Sequence, residues 1–245
     1  MSHGAPCVRL VPWSEIIMMA AILALSATGL VLLPARSRPV VMKAAPTDAA
    51  AMQRAYLERI GLNADEIANR KPNVADLELL IQSHLSSVPF ESLGLHGFAP
   101  VPSLDVDKTL DKIVKQRRGG FCWELNFAFC WLLRSLGYKV RIGSAHVMTP
   151  DGPVQGHLVL YVDNFDDPLL VDPGFGDAVR APVPISGSAT DKMIGETLTL
   201  APASEFGAEA GNGLFGAKRF SNVLTRQRAC ASNTVAPLQP RVDSR

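Results

Sequence analysis

The chain carries almost no net charge: 24 lysines and arginines stand against 23 aspartates and glutamates, a formal balance of +1. That balance excludes a partner held by bulk electrostatics. Aromatic residues are few, at 7%, and no basic stripe is interleaved with them. Zinc-finger spacing and other reader motifs are also missing, so nothing points to nucleic acid. Only four cysteines occur, Cys7, Cys122, Cys130 and Cys230. They are scattered and lack metal-ligand pairing, and in a chain this size they read as reduced thiols rather than as a disulfide framework. No internal repeat is visible. What is present is an ordinary globular composition, 47% apolar and 19% charged over 245 residues. That is enough to bury a core as one large domain or two small ones.

One long hydrophobic run stands out. Residues 16–33 are apolar except for Ser26, Thr28 and Gly29, about the minimum length for a membrane-spanning helix. Arg36, Arg38 and Lys43 follow it and only Arg9 precedes it, so the positive-inside bias leaves the bulk of the chain in the cytoplasm. A cleaved signal peptide fits less well, because the charge lies on the wrong side of the run. Met42 and Met52 are candidate alternative starts. Residues 1–51 are therefore expected to be an extension that holds either a membrane anchor at 16–33 or sequence upstream of the working protein.

Residues 52–137 read as helical. Tyr56, Leu57 and Ile60 share one face, and Gly61 supplies a stop. Asn73 is expected as an N-cap with Asp76 at the third helical position, followed by Leu77, Leu80, Ile81 and Leu85. Pro89 cannot continue that helix. Asp105 or Asp107 is expected to cap another, carrying Leu110, Ile113 and Val114. A further helix is expected from Cys122 through Phe127, Phe129, Trp131 and Leu133 to Gly137. It is apolar nearly all round, which implies burial.

From Tyr138 the period changes to two. Val140 and Ile142, then Leu158, Leu160 and Val162, alternate with other residues, and Leu169-Leu170-Val171 is a short buried strand. Residues 138–200 therefore read as an antiparallel sheet or small barrel. Beyond that the pattern fades, and residues 201–245 read as a disordered tail.

The chemistry gathers around Arg117-Arg118-Gly119-Gly120-Phe121-Cys122. A cysteine that directly follows a basic, glycine-rich turn and opens an apolar helix sits at the positive end of the helix dipole. That setting suits a nucleophilic sulfur. The glycines permit close approach of a substrate, and N–H groups at the helix start suit an oxyanion. Cys130, between Phe129 and Trp131, reads instead as packing. His157, in Gly156-His157-Leu158-Val159-Leu160, lies where a strand could aim the imidazole at the helix. His146 is its rival, and His84 and His96 are less well placed. Asp172 precedes Pro173-Gly174, where an aspartate ordinarily caps a turn. The order Cys, His, Asp suits a nucleophile, a base and a residue that orients the base. Glu91, after Phe90, would need a cation if buried; Arg118 is the obvious one, and Glu124 competes for it.

These segments together resemble the arylamine N-acetyltransferases. Tyr56-Leu57-Glu58-Arg59-Ile60-Gly61 looks like the family's opening helix, and Val88-Pro89-Phe90-Glu91-Ser92-Leu93 is similar to its Pro-Phe-Glu-Asn segment, with Ser92 in place of Asn. Arg118-Gly119-Gly120-Phe121-Cys122 matches its Arg-Gly-Gly-x-Cys motif, and Glu124-Leu125-Asn126 continues the match. Gly156-His157-Leu158-Val159-Leu160 and Val171-Asp172-Pro173-Gly174-Phe175-Gly176-Asp177 look like the segments that carry its histidine and aspartate. The likeness runs from about residue 52 to about residue 184.

The resemblance implies an α+β fold: a helical bundle followed by an antiparallel β-barrel around a papain-like Cys-His-Asp core. It implies ping-pong acetyl transfer from acetyl-CoA, without a metal, to an arylamine or hydrazine, a xenobiotic-metabolising activity of the cytoplasm. Cys122 would carry the acetyl group, His157 would act as base and Asp172 would orient His157. Arg118 and Glu91 would support the cysteine, and Phe90 and Phe175 would line the acceptor pocket. The family's C-terminal α/β lid has no counterpart after about residue 200, where the sequence reads like the product of truncation or a shifted frame. Two other readings follow. One is an inactive, truncated or membrane-tethered remnant. The other is a different Cys-His-Asp thiol enzyme, such as a protease or amidase, disfavoured because Arg-Gly-Gly-Phe-Cys and Pro-Phe-Glu occur together.

Overall fold

Helix starts and stops follow local chemistry closely. The computed structural model describes residues 30–32, 46, 48–103, 105–149, 152–176, 179–191, 196–202 and 222–228. Its helices are α1 (Ala49–Arg59), α2 (Ala64–Ile67), α3 (Val74–Ser87), α4 (Val106–Leu110) and α5 (Cys122–Ser135), with a π-helical turn over Asp111–Lys115 directly after α4. Asn73 caps α3 by accepting from the Asp76 N–H at 2.8 Å. Of the two candidates at α4, Asp105 is the cap, accepting from the Asp107 N–H at 3.1 Å. Each such cap satisfies a donor that the helix itself leaves unpaired. After α1 and α5 the chain turns at Gly61 and Gly137, both at positive φ, as expected for those stops.

The strands form an eight-stranded sheet in the order β5-β4-β3-β2-β1-β8-β7-β6. They are β1 (Leu30–Leu32), β2 (Val140–Thr149), β3 (Gly152–Val162), β4 (Leu169–Val171), β5 (Val183–Pro184), β6 (Ser188–Asp191), β7 (Glu196–Pro202) and β8 (Asn222–Arg228). Every pairing is antiparallel. The expected barrel is not closed. The end strands β5 and β6 are joined by the turn 185–187, yet no ladder links them among the described residues. β5 is two residues long and ends in Pro184, which has no N–H to extend a ladder.

Two strands lie in segments where the sequence pattern marked none. The tail 201–245 contributes β8, which pairs with β7 and with β1. Its composition, Asn-Val-Leu-Thr-Arg-Gln-Arg, shows little alternation, so the period-two pattern did not mark it. The end of the apolar run forms β1, inserted between β2 and β8. The rest of 16–33 lies outside the described residues, as do Cys7, Cys230 and Asp177. Among the described residues no helix is long and apolar enough to cross a membrane.

Strand alternation divides the core into two. Leu158, Leu160 and Val162 of β3 pack with Tyr56, Leu57, Leu80, Phe129 and Leu132 of the helices. Val159 and Tyr161 face the other way, onto Val147, Leu170, Phe175, Val183 and Leu200. Each such aliphatic or aromatic side chain contributes about 1.5–3 kcal/mol by burial. Eleven of the fourteen residues of α5 are buried, so this helix forms the hub between bundle and sheet. Its first turn therefore opens at the seam of the two cores.

Candidate active site

The turn before α5 is pressed against the segment after α3. An added Cβ on Gly119 would meet the Pro89 carbonyl oxygen at 1.9 Å, so no other residue fits there without moving the backbone. The Gly120 N–H donates to Pro89 O at 3.3 Å, and the Glu91 N–H donates to Gly120 O at 2.9 Å. Arg117 takes a positive φ of 55°, a strained conformation for a residue with a side chain. The Arg59 guanidinium holds it by donating to Arg117 O at 3.3 Å.

A chain of alternating charges braces this turn. Arg118 Nη2 donates to both Glu91 oxygens, at 2.7 and 3.0 Å. Lys112 Nζ lies 3.3 Å from Glu91 Oε1 and 2.7 Å from Glu124 Oε2, and Glu124 Oε2 also accepts from the Phe121 N–H at 3.3 Å. The Glu91–Arg118 pair is thus present. Glu124, considered as its competitor, is taken by Lys112, which the sequence did not single out. Lys112 sits in the π-helical turn, where the widened winding breaks the 3.6-residue phase from which a facing side chain is read.

Cys122 opens α5 and is 4% exposed. His157 is equally buried, and its Nε2 lies 2.7 Å from Asp172 Oδ2. The Cys122 thiol acts on the imidazole from the other side, adding to the upward push on its pKa. With Nε2 engaged by Asp172, Nδ1 is the ring nitrogen left for a further partner. Burial pulls the His157 pKa down, but the charge and hydrogen bond of Asp172, aided by Cys122, outweigh it and push the value up to about 10. Phe175 meets the His157 ring edge-to-face, with centroids 5.3 Å apart.

A β-bulge aims the histidine. Ala145 pairs with His157 but His146 pairs with Gln155, leaving Gly156 as the extra residue, at a φ of 136°. Such a bulge bends the strand and redirects the next side chain. Trp123, beside Cys122, fixes it: its indole N–H donates to Gly156 O at 2.5 Å. Asn126 is fully buried one turn into α5. Its Nδ2 donates to Asp172 Oδ1 at 2.8 Å and to Leu158 O at 2.5 Å, and its Oδ1 accepts from the Gly174 N–H at 2.9 Å. The sequence marked Asn126 only as part of a longer match.

The structure therefore brings Cys122, His157, Asp172 and Phe175 together, with Glu91 and Arg118 bracing the turn behind the sulfur. Phe90 is half-buried, packs on the helical core and bridges Gly120. Of the rivals, His84 lies inside the bundle against Tyr56 and His96 is exposed. The His146 backbone pairs with Val31, and its side chain lies outside what is described. Cys130 is fully buried, its thiol pushed up to about 11 by desolvation. A buried sulfur at a helix start, beside a carboxylate-held imidazole, is equipped for nucleophilic attack on a carbonyl carbon.

A family model described as N-acetyltransferase matches residues 73–205. Over 114 residues the chain is 39% identical to a pineal gland isozyme of arylamine N-acetyltransferase from Gallus gallus, covering 45% of this chain and 39% of that one. Over 128 residues it is 37% identical to an arylamine N-acetyltransferase from Mycolicibacterium smegmatis, covering 49% and 45%. Among solved structures, the Mycobacterium marinum arylamine N-acetyltransferase in complex with CoA superimposes with a TM-score of 0.54 at 29% identity. That match covers 72% of this chain and 66% of the other. The chain spans less than half the length of these curated relatives.

Proposed function

The chain belongs to the arylamine N-acetyltransferase family, and we propose that it moves acetyl groups from acetyl-CoA to the nitrogen of an arylamine or hydrazine through an acetyl-Cys122 intermediate. The observation that carries this reading is the buried Cys122 at the start of α5, acting on an imidazole whose Nε2 lies 2.7 Å from Asp172. Such a thiol and imidazole fit the thioester end of the donor, and a solved relative holds CoA.

In the first half-reaction the thiol proton resides on His157, whose pKa near 10 keeps the ring protonated at neutral pH. The Cys122 sulfur attacks the thioester carbonyl carbon, and N–H groups at the α5 start stabilise the oxygen that becomes negative. The carbon–sulfur bond to CoA then breaks, and His157 gives its proton to the departing sulfur. In the second half-reaction the amine nitrogen attacks the acetyl carbon and His157 takes the nitrogen's proton. Cys122 leaves as thiolate. General acid–base assistance of this kind contributes roughly 10²–10⁴-fold. Asp172 orients the imidazole, Glu91 and Arg118 support the turn, and Phe175 and Phe90 form the apolar side of the acceptor pocket. The chemistry itself needs no metal. A cytoplasmic location is proposed with it, from the cations that follow the apolar run.

The test is to incubate the full chain with acetyl-CoA and weigh it intact. One acetyl group is expected on the protein and none on Cys122→Ala, followed by transfer when an arylamine or hydrazine is added. Absence of the adduct on folded protein would overturn the reading in favour of an inactive remnant. An adduct that no amine discharges would limit the chain to the first half-reaction.

A further inference from the structure

We infer that Asn126 is a positioning residue for the site, acting through Asp172: one side chain ties the helix that carries Cys122 to the two segments that carry the other members. Residues 122 and 126 are four apart on α5 and so lie on one face. From there the Asn126 amide donates to Asp172 Oδ1, while His157 engages Oδ2. Each carboxylate oxygen thus has its own donor, and the group cannot rotate away from the imidazole without breaking one bond. The same amide donates to Leu158 O, the carbonyl adjoining His157 in β3. Its oxygen takes the Gly174 N–H, two residues beyond Asp172.

Among standard side chains only asparagine and glutamine present this set, and glutamine would place it a methylene farther from the helix. A buried amide offers two donors and an acceptor at one point, and here all are used. Asparagine in an otherwise apolar, fully buried helix face is costly unless its bonds are made. Its placement is accounted for by the site rather than by the packing of α5.

The inference rests on the proposed thiol chemistry only for its consequence, and its test needs no acetyl-CoA. Iodoacetamide is displaced of iodide by the Cys122 sulfur, and the rate is followed by intact mass across pH on the full chain. Asn126→Ala, and Asn126→Gln, which keeps the amide but moves it by a methylene, are each expected to slow alkylation at neutral pH at least about tenfold and to raise its pH midpoint by about one unit. Asp172→Asn is expected to move both readouts the same way. The Asn126→Ala/Asp172→Asn double variant is expected to be no worse than Asp172→Asn alone, since residues acting as a unit are non-additive. An unchanged pH profile, or losses that multiply in the double variant, overturns the inference. If neither Asn126 variant folds, the unmodified chain decides. The Asn126 side-chain amide protons must shift in the NMR spectrum when Cys122 is alkylated, and no shift would overturn it.

Discussion

Two histidines lie at nearly the same depth in this protein, one inside the helical bundle and one at the seam between α5 and the sheet. Their environments push them in opposite directions. His84 is wholly buried, with Nδ1 3.1 Å from the Tyr56 hydroxyl, a Phe129 ring at 5.1 Å and, among the described residues, no hydrogen-bond partner for Nε2. Desolvation, aided by the Arg59 cation, pulls it down to about 3. His157 suffers the same desolvation, yet stands near 10 because a carboxylate lies 2.7 Å away. Depth alone therefore does not decide whether a buried imidazole carries a proton. The charge of its nearest partner does. The bundle keeps its histidine neutral, and the seam keeps its histidine as a cation ready to give a proton.

The sharpest way to break this contrast is to give His157 the surroundings of His84. Asp172→Ala removes the counter-charge and leaves a buried imidazole uncompensated. A loss of about 3–5 kcal/mol in denaturant unfolding is expected, together with a His157 that titrates below its ordinary value by NMR. A His157 that stays protonated at neutral pH in this variant would end the comparison.

The pH dependence of stability tests both histidines at once. For His84 the folded pKa near 3 lies below the unfolded value of 6.5. The unfolded chain therefore binds the proton first, and stability falls as pH drops from 6.5 towards 3. The slope is at most about 1.4 kcal/mol per pH unit from this group. For His157 the folded value near 10 lies above 6.5. Its contribution is complete below 6.5 and is lost as pH rises towards 10. Urea midpoints measured across pH are expected to decline on both sides. The acid decline should flatten in His84→Leu and the alkaline one in Asp172→Ala. If the two variants flatten the same limb, the assignment fails.

The smallest effect is expected from Tyr56→Phe, which keeps the ring and deletes the hydroxyl facing His84. It leaves a second buried imidazole nitrogen without a partner, at a cost of about 1–3 kcal/mol in equilibrium unfolding. Cys122 alkylation should be unaffected, because among the described residues this bundle site and the seam share no hydrogen bond.

Much of this architecture is legible one residue at a time. Asn73 with Asp76, and Gly61 and Gly137, mark helix ends because caps and left-handed stops are local events. The apolar circumference of α5 announces a buried helix before its neighbours are known. The order of Cys122, His157 and Asp172 suggests their chemistry, and the burial of Glu91 calls for a cation such as Arg118. Lys112 escapes that kind of reading because a π-helical turn alters which side it faces. Asn126 escapes because a polar residue in an apolar helix names its need for partners but not their identity. β1 and β8 escape because their pairing runs through backbone groups that every residue shares. Among the described residues no ladder closes the barrel, and β5 at the end of the sheet is only two residues long.

By itself the sequence determines which residues start and end helices, where the period changes from helix to strand, and which thiol stands at a helix start. Those properties depend on neighbours within a few positions. Only the tertiary structure decides that His157 rather than His84 faces a carboxylate, and that one asparagine holds that carboxylate in place. Those outcomes depend on segments far apart in the chain meeting within 3 Å. At that range, in a medium stripped of water, a single charge or hydrogen bond outweighs any local preference.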